Sequence, residues 1–414
     1  MSEGPTLLYL TVGGSAVPLR AAIAALGPDH IVFLASDGSG GQASSEPEAR
    51  QLASEVNCTS EVLKIPPDDP DRAFALIIGV IGLQDQHRPD HHQIVNYTGG
   101  TKSMSAALLL AAIRRDVEVQ ITTGYRPDVS RVQDGTESIQ AISASLMGLE
   151  RDLEAAHALA TNSDFAAARD LVKRIQDTVR RKKLNPAKSF QKRLQDAYSM
   201  SSCLADWDAF RHVEAWRTLQ NKHEEGAEWA ERFVSSGHAA ILEDLGTKRD
   251  GNPQLALCQD LLENARRRWQ NGRNDDALAR LYRLVEACAQ TQLFRKYTLR
   301  SGSLEKKDLP EHLLKRAGSW QDRTNGRVVF NLPLDGTIRL LEHRDGADPV
   351  ARAYLDARGD RGPEWLEKRN HSILAHGYVA IRPEDVERAF QWIDQSLVPA
   401  MGITPMVPFK IEPF

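Results

Sequence analysis

The sequence predicts an α/β domain built on a parallel sheet, then an all-helical middle region and an all-helical C-terminal domain. Apolar runs rich in strand formers alternate with helix-like stretches as far as residue 123, the pattern of a parallel sheet covered on both faces. From about residue 137 helical periodicity takes over. A chain of 414 residues is also long enough for two or three domains. The expected limits are 1–140 for the α/β domain, 141–250 for a helical connecting region, 251–400 for the C-terminal helical domain and 401–414 for a tail.

The elements follow in order. Residues 6–12 form a first strand, with Gly13, Gly14 and Ser15 in the loop behind it and a helix over Leu19–Leu26. Residues 31–35 form a second strand ending in Ser36 and Asp37. A helix over Ser44–Val56 leads to a strand at Glu61–Ile65, and a helix over Arg72–Leu83 to a strand at Gln93–Tyr97. A helix over Met104–Arg114 and a strand at Val117–Thr123 complete the alternation. Leu146–Ile175 reads as helical, with Phe165-Ala-Ala-Ala-Arg169 giving a repeat-like helical hairpin, Pro186 as a break, and Asp250-Gly-Asn-Pro253 as the clearest boundary in the second half. Leu255–Phe294 returns to helix, with a good helix start at Asn274, Asp275 and Asp276. Arg280, Arg283 and Glu286 lie near its apolar stripe. Val328–Leu332 and Thr337–Leu341 read as a short extended insertion. Glu364–Ala375 reads as helix, and Pro383 starts a last helix to Leu397. Phe409–Pro413 is a candidate strand in a proline-rich end.

Composition excludes several classes. No apolar run approaches the ~18 residues of a membrane span, and no basic leader precedes an apolar core with a cleavage site, so a cytoplasmic protein is expected. Cys58, Cys203, Cys258 and Cys288 are scattered with no CxxC pair, which argues against a zinc knuckle or a disulfide framework. His87, His91 and His92 stand beside Asp85 and Asp90, but in a polar loop before a strand, so no metal is expected there. Net charge is −4 overall, divided as −7 over residues 1–145 and +3 over the rest. An anion in the first domain therefore needs backbone amides and a local lysine rather than a broad positive field. The basic run Arg180, Arg181, Lys182 and Lys183, continued by Lys188, Lys192 and Arg193, reads either as a solvated helix face or as an aid in steering RNA.

Two motifs carry chemistry. Thr98, Gly99, Gly100, Thr101, Lys102 and Ser103 lie between a strand and a helix. The spacing is not that of a Walker A loop. Still, two glycines let backbone approach a phosphate or ribose, and the helix start offers free N–H groups. Gly13–Ser15, Ser36–Asp37 and Thr98–Lys102 all fall at carboxyl ends of strands, where such sheets bind ligands. The alternative is a tight turn with no ligand. The second motif is Arg369, Asn370 and His376. Arg369 and His376 are seven residues apart, close to two helical turns, and would share a stripe about 10 Å long. Histidine can take a ribose 2′-hydroxyl proton and arginine can hold charge on a phosphate. His371 would face elsewhere on that helix. The alternative is a buried histidine and an arginine in a surface ion pair.

Together these motifs resemble the ancillary ribonucleases of type III CRISPR systems, which join a Rossmann-like CARF sensor to a helical HEPN ribonuclease. Asn96-Tyr-Thr-Gly-Gly-Thr-Lys102 resembles the CARF signature, Val12-Gly-Gly-Ser15 the loop after its first strand, and Arg369-Asn370 with His376 the HEPN pattern. The resemblance covers roughly 1–140 and 255–400, and six residues between Arg369 and His376 is the long end of the HEPN range. It implies a cyclic oligoadenylate activator lying across the two-fold axis of a homodimer. It also implies metal-independent cleavage of single-stranded RNA to a 2′,3′-cyclic phosphate. His376 would be acid or base, Arg369 would hold the phosphate and Asn370 would position them, in a site shared between two copies. Activation would be a population shift. The competing readings are a ligand-responsive regulator with an inactive effector, and a sensor domain that also degrades its cyclic ligand.

Overall fold

The computed structural model describes residues 4–414 except 42, 116, 125–134, 137, 143, 248–251, 322–325 and 358–361. Of the boundary expected at Asp250–Pro253, Asp250 and Gly251 lie outside the described residues. The chain forms two compact units, one of residues 1–153 with 179–186, the other of residues 154–178 with 187–414.

The first unit alternates β1 (Thr6–Thr11), α1 (Val17–Leu26), β2 (His30–Ser36), α2 (Glu46–Glu55), β3 (Thr59–Ile65), α3 (Pro70–His87), β4 (His92–Asn96), α4 (Lys102–Arg115), β5 (Glu118–Thr123) and β6 (Ser138–Ile142). The sheet runs β3-β2-β1-β4-β5-β6, the strand order of doubly wound nucleotide-binding sheets. The strands from β1 to β5 are parallel, and β6 lies antiparallel on β5. Alternate residues serve opposite faces. Leu7, Tyr9, Val32, Leu34 and Val95 pack against α3 and α4, while Leu8, Leu10, Ile31, Phe33 and Ile94 pack against α1 and α2. This two-sided burial is why β1 and β2 read as continuous apolar runs. The β6 strand was not expected, because the apolar pattern was taken to turn helical from about residue 137.

Helices α5 (Ala144–Thr161) and α6 (Phe165–Arg181) follow. The helical stretch expected over Leu146–Ile175, with its hairpin at Phe165–Arg169, is thus two helices, parted where Ser163 adopts φ 59°, a left-handed backbone that ends a helix. The second unit continues with α7 (Lys188–Asp208), α8 (His212–Glu224), α9 (Glu228–Ser235), α10 (His238–Thr247), α11 (Leu255–Gln270), α12 (Asn274–Tyr297) and α13 (Glu311–Leu314). A hairpin of β7 (Gly318–Gln321) and β8 (Val328–Asn331) precedes α14 (Leu334–Arg344), α15 (Pro349–Leu355), α16 (Glu364–Asn370) and α17 (Pro383–Trp392). The last helix runs on through a π turn at Ile393–Leu397 into α18 (Val398–Met401).

Thr337–Leu341, expected to be extended, is helical, and Ile338, Leu340 and Leu341 are buried in the C-terminal core. The β8 strand pairs instead with β7. Nor is Phe409–Pro413 a strand. Phe409 stacks on Phe233 at 5.6 Å and meets Trp207 edge-on at 5.2 Å, so this stretch fills an aromatic core of the middle helices. A buried polar knot joins those helices to α11. Asp208 accepts from Arg267 at 3.0 Å, from Asn264 at 3.2 Å and from Arg268. Asp260 accepts from Trp207 at 3.0 Å and lies 2.8 Å from His212.

Candidate functional site

In the first unit the β1/β4 boundary is the point where strand order reverses, so the loops behind those two strands flank a ligand crevice. The loops touch. The Thr11 hydroxyl donates to the Gly99 carbonyl at 2.7 Å, and the Ser105 hydroxyl to the same oxygen at 2.8 Å. A Cβ on Gly99 would lie 2.2 Å from the Thr11 carbonyl oxygen, and one on Gly13 would lie 2.7 Å from the Gly100 nitrogen. Both positions therefore need glycine because backbone meets backbone. Gly100 adds φ 78°.

The structure sorts the residues expected at this edge. Gly14, Ser15 and Lys102 are exposed, and Gly13, Gly99, Gly100 and Ser103 are half-buried. Several hydroxyls point inward instead. Ser36 is buried, donating to the Ala43 carbonyl at 3.1 Å and accepting from the Ser45 amide at 2.8 Å, because residues 43–45 fold back over the end of β2. Thr98 donates to Asn96 Oδ1 at 2.5 Å and accepts from the Thr122 amide at 2.7 Å. Thr101 donates to the Pro67 carbonyl and accepts from the Met104 amide at 3.2 Å, capping α4. Ser39 holds the Asp37 carboxyl below its ordinary range by hydrogen bonding to it. Lys102, Ser15 and Ser103 are not drawn into these scaffold bonds. Sequence alone did not distinguish these from the scaffold hydroxyls.

In the second unit the Arg369–His376 segment departs from the helix expected for it. Helix α16 ends at Asn370. The chain then folds back on itself, with the Ser372 amide donating to the Arg369 carbonyl at 3.1 Å and the Gly377 amide to the Ser372 carbonyl at 3.0 Å. The His376 amide donates to the Asn370 carbonyl at 3.3 Å and the Val379 amide to the His371 carbonyl at 3.3 Å. Backbone bonding thus sets His376 beside Asn370, and the helical stripe, the 10 Å separation and the helix-wheel position of His371 do not apply. Gly377 permits the fold-back, since a Cβ there would lie 1.9 Å from the His371 carbonyl oxygen. His371, Asn370 and His376 are exposed.

Arg369 is held from two sides. Its guanidinium carbon lies 4.2 Å from the centroid of the Tyr282 ring, a favourable cation–π contact, and Nη1 donates to Asn370 Oδ1 at 3.2 Å. Glu286, one turn along α12 from Tyr282, is raised above the usual carboxylate range by burial, opposed by Arg283 and Arg369. Lys368 bonds to Asp385 of α17 at 2.5 Å. Burial would raise the Asp385 carboxyl, but Lys368 and Arg382 hold it low. This clamp fixes the end of α16 from which Arg369 projects. Sequence reading noticed Glu286 and Arg283 but missed Tyr282. The signal available was the i, i+4 spacing of Tyr282 and Glu286 on one face of α12. Ile373, Leu374, Tyr378 and Val379 are all at least 60% exposed around His376.

Residues 247–398 match the family model described as the Csm6 HEPN domain. The chain resembles a solved structure of Enterococcus italicus Csm6 bound to cyclic hexa-2′-fluoro-hexa-dAMP, with a TM-score of 0.55 and 13% identity over 97% of this chain and 95% of that one. A likeness to Can2 from Sulfobacillus thermosulfidooxidans in complex with cyclic tetra-adenylate has a TM-score of 0.24 and 13% identity, over 51% of this chain and 68% of the other. A type III CRISPR defence DNA nuclease activated by cyclic oligoadenylate matches with a TM-score of 0.26 and 18% identity, over 50% and 34%. A comparison with curated proteins returned no match. The fold is thus that of the Enterococcus italicus Csm6 structure over nearly the whole chain, a Rossmann-like sheet followed by helices. Its C-terminal region, residues 247–398, matches the Csm6 HEPN domain model.

Proposed function

We propose that this chain is a cyclic oligoadenylate-activated endoribonuclease that cuts single-stranded RNA without a metal, acting as a cytoplasmic homodimer. The observation that carries the reading is the Arg369–Asn370…His376 turn inside a region matching the Csm6 HEPN family. His376 takes the proton of a ribose 2′-hydroxyl, and the 2′-oxygen attacks the adjacent phosphorus. The 5′-oxygen leaves and takes a proton from the protonated imidazole of the second copy's His376, giving a 2′,3′-cyclic phosphate and a 5′-hydroxyl. Arg369, held against the Tyr282 ring, balances the charge on the five-coordinate phosphorus, and Asn370 orients Arg369 through its side-chain oxygen.

The exposed apolar side chains around His376 support the dimer, since a second copy of the turn packed about a two-fold axis would cover them. The crevice between the β1 and β4 loops, with Lys102 and glycine backbone at its rim, suits the repeated phosphates of a cyclic oligoadenylate. Residues 1–140 would form the sensor, 251–400 the effector, with 141–250 connecting them and 401–414 a tail.

The test is cleavage of a fluorescent single-stranded RNA in EDTA with each cyclic oligoadenylate in turn. Wild type is expected to cleave with one ring size, and His376→Ala and Arg369→Ala to lose about 10²-fold or more. Ligand binding without cleavage by wild type would favour the regulator reading. Cleavage undiminished in His376→Ala would put the active site elsewhere.

A further inference from the structure

The second unit carries a polar cleft that the proposed cleavage chemistry does not use. One part, about 670 Å³, is lined by Lys315, Arg316, Arg339, His312 and His343 with Glu342. The other, about 420 Å³, lies where α14 meets residues 307–310 and is lined by Lys307 and Arg344 with Tyr297 and Asp308. His343 lines both parts, so they adjoin. Five cationic side chains face two carboxylates across the combined lining. The His312 and His343 rings meet edge-on at 5.7 Å, adding imidazole nitrogens to the cleft.

Three of the cations, Lys315, Lys307 and Arg316, are loosely held, while Arg344 donates to the Asp308 carbonyl at 3.0 Å. Lys315 pairs with Glu311 at 3.3 Å and Lys307 with Glu305 at 2.7 Å, both through largely exposed side chains. Such pairs contribute little and rearrange readily when a phosphate competes. Arg316 is exposed and has no ion pair among the described residues. Arg344 lies 5.4 Å from the Tyr297 ring centroid, which steadies its guanidinium at the cleft wall.

The cleft and the cleavage turn lie on helices that share a neighbour. Helices α14 and α16 both pack on α12. Arg339 pairs with Asp335 at 3.0 Å. Tyr354, pushed up to about 12 chiefly by burial, is within electrostatic reach of Asp335, Arg339 and Tyr282. Tyr282 is the ring beneath Arg369.

We propose that this cleft is a second RNA-binding site, taking the sugar-phosphate backbone of single-stranded RNA beyond the nucleotides that occupy the cleavage turn. Cations and imidazoles along the groove suit a polyanion, so binding there is salt-sensitive and set by the backbone rather than by base identity. The inference rests on the ribonuclease reading for its purpose, while the binding itself can be tested apart from cleavage.

The experiment uses the full chain carrying His376→Ala, so that RNA stays intact, with and without Lys315→Glu/Arg316→Glu. Binding of labelled oligouridylates of about 4 and about 16 nucleotides is followed by anisotropy over a salt series. The paired substitution is expected to weaken the longer RNA roughly tenfold at 0.15 M salt and to reduce its log–log salt slope by about 1.4, leaving the shorter RNA unchanged. The neutral pair Lys315→Gln/Arg316→Gln should give a smaller loss in the same direction, with an unchanged melting temperature for both. An equal effect on both lengths, or none on the longer one, overturns the proposal, as does failure of the parent chain to bind the longer RNA. Length-selective binding loss alongside a wild type that cleaves no RNA would uphold the cleft and overturn the ribonuclease reading alone.

Discussion

Gly377 shows how closely the candidate site depends on one residue. Its backbone sits where any side chain would strike the His371 carbonyl, and the fold-back it permits brings His376 beside Asn370. Gly377→Ala should open the turn and displace the imidazole. We expect RNA cleavage to fall by more than about tenfold, since small misplacements of catalytic groups are costly. The melting temperature should barely change, because Ile373, Leu374 and Val379 around the turn are already exposed. Wild-type cleavage by Gly377→Ala would show that the fold-back is not needed for activity. The identities of Arg369, Asn370 and His376 were legible in the sequence. Their geometry was not, because a seven-residue spacing fits a helix as well as a loop, and only the crowding at Gly377 separates the two.

At the scale of elements, the strand-to-helix turn between β4 and α4 is both scaffold and candidate ligand edge. Gly99→Ala would drive a methyl group into the Thr11 carbonyl, so β1 and β4 would have to part at the switch point. Overpacking of this kind typically costs about 1–3 kcal/mol. Denaturant unfolding of Gly99→Ala should show a lower midpoint together with weaker cyclic oligoadenylate binding. Lys102→Ala, at an exposed position, should weaken binding with no change in midpoint. If Lys102→Ala binds as tightly as wild type, the lysine is not a ligand contact. Strands β1 to β5 were readable because each is an apolar run between polar turns. The β6 strand and the β7–β8 hairpin were harder, since they are short and their partners determine them. Helix α14 reads as a strand from sequence because Ile338, Leu340 and Leu341 within so short a window fit either period.

At the scale of the whole molecule, the second unit contains two hydrophobic cores, and the C-terminal stretch seals one of them. His238 donates from Nε2 to the Val407 carbonyl at 2.6 Å, and its Nδ1 lies 2.5 Å from the Ser236 hydroxyl. Burial lowers its pKa below the ordinary histidine value, outweighing the hydrogen bond to Val407. The folded state therefore holds His238 neutral, whereas in the unfolded chain it gains a proton below about pH 6.5. The unfolded state binds more protons there, so stability falls as pH drops from about 6.5 toward the folded pKa and is unaffected above it. Thermal unfolding of this unit should show that acid-side loss, with a shallower loss in His238→Gln. Equal slopes in both proteins would mean that other groups govern the acid limit.

The sequence by itself determined the alternation that builds the parallel sheet, the glycine-rich turn behind β4 and the residues of the Arg–His motif. These are local properties, since hydrophobic period and turn chemistry are written within a few residues of one another. Tertiary structure decided which hydroxyls face the crevice and which brace the scaffold. It also placed Tyr282 beneath Arg369 and Phe409 among the middle helices. Those contacts join residues far apart in the chain, and packing selects them only once the cores have formed.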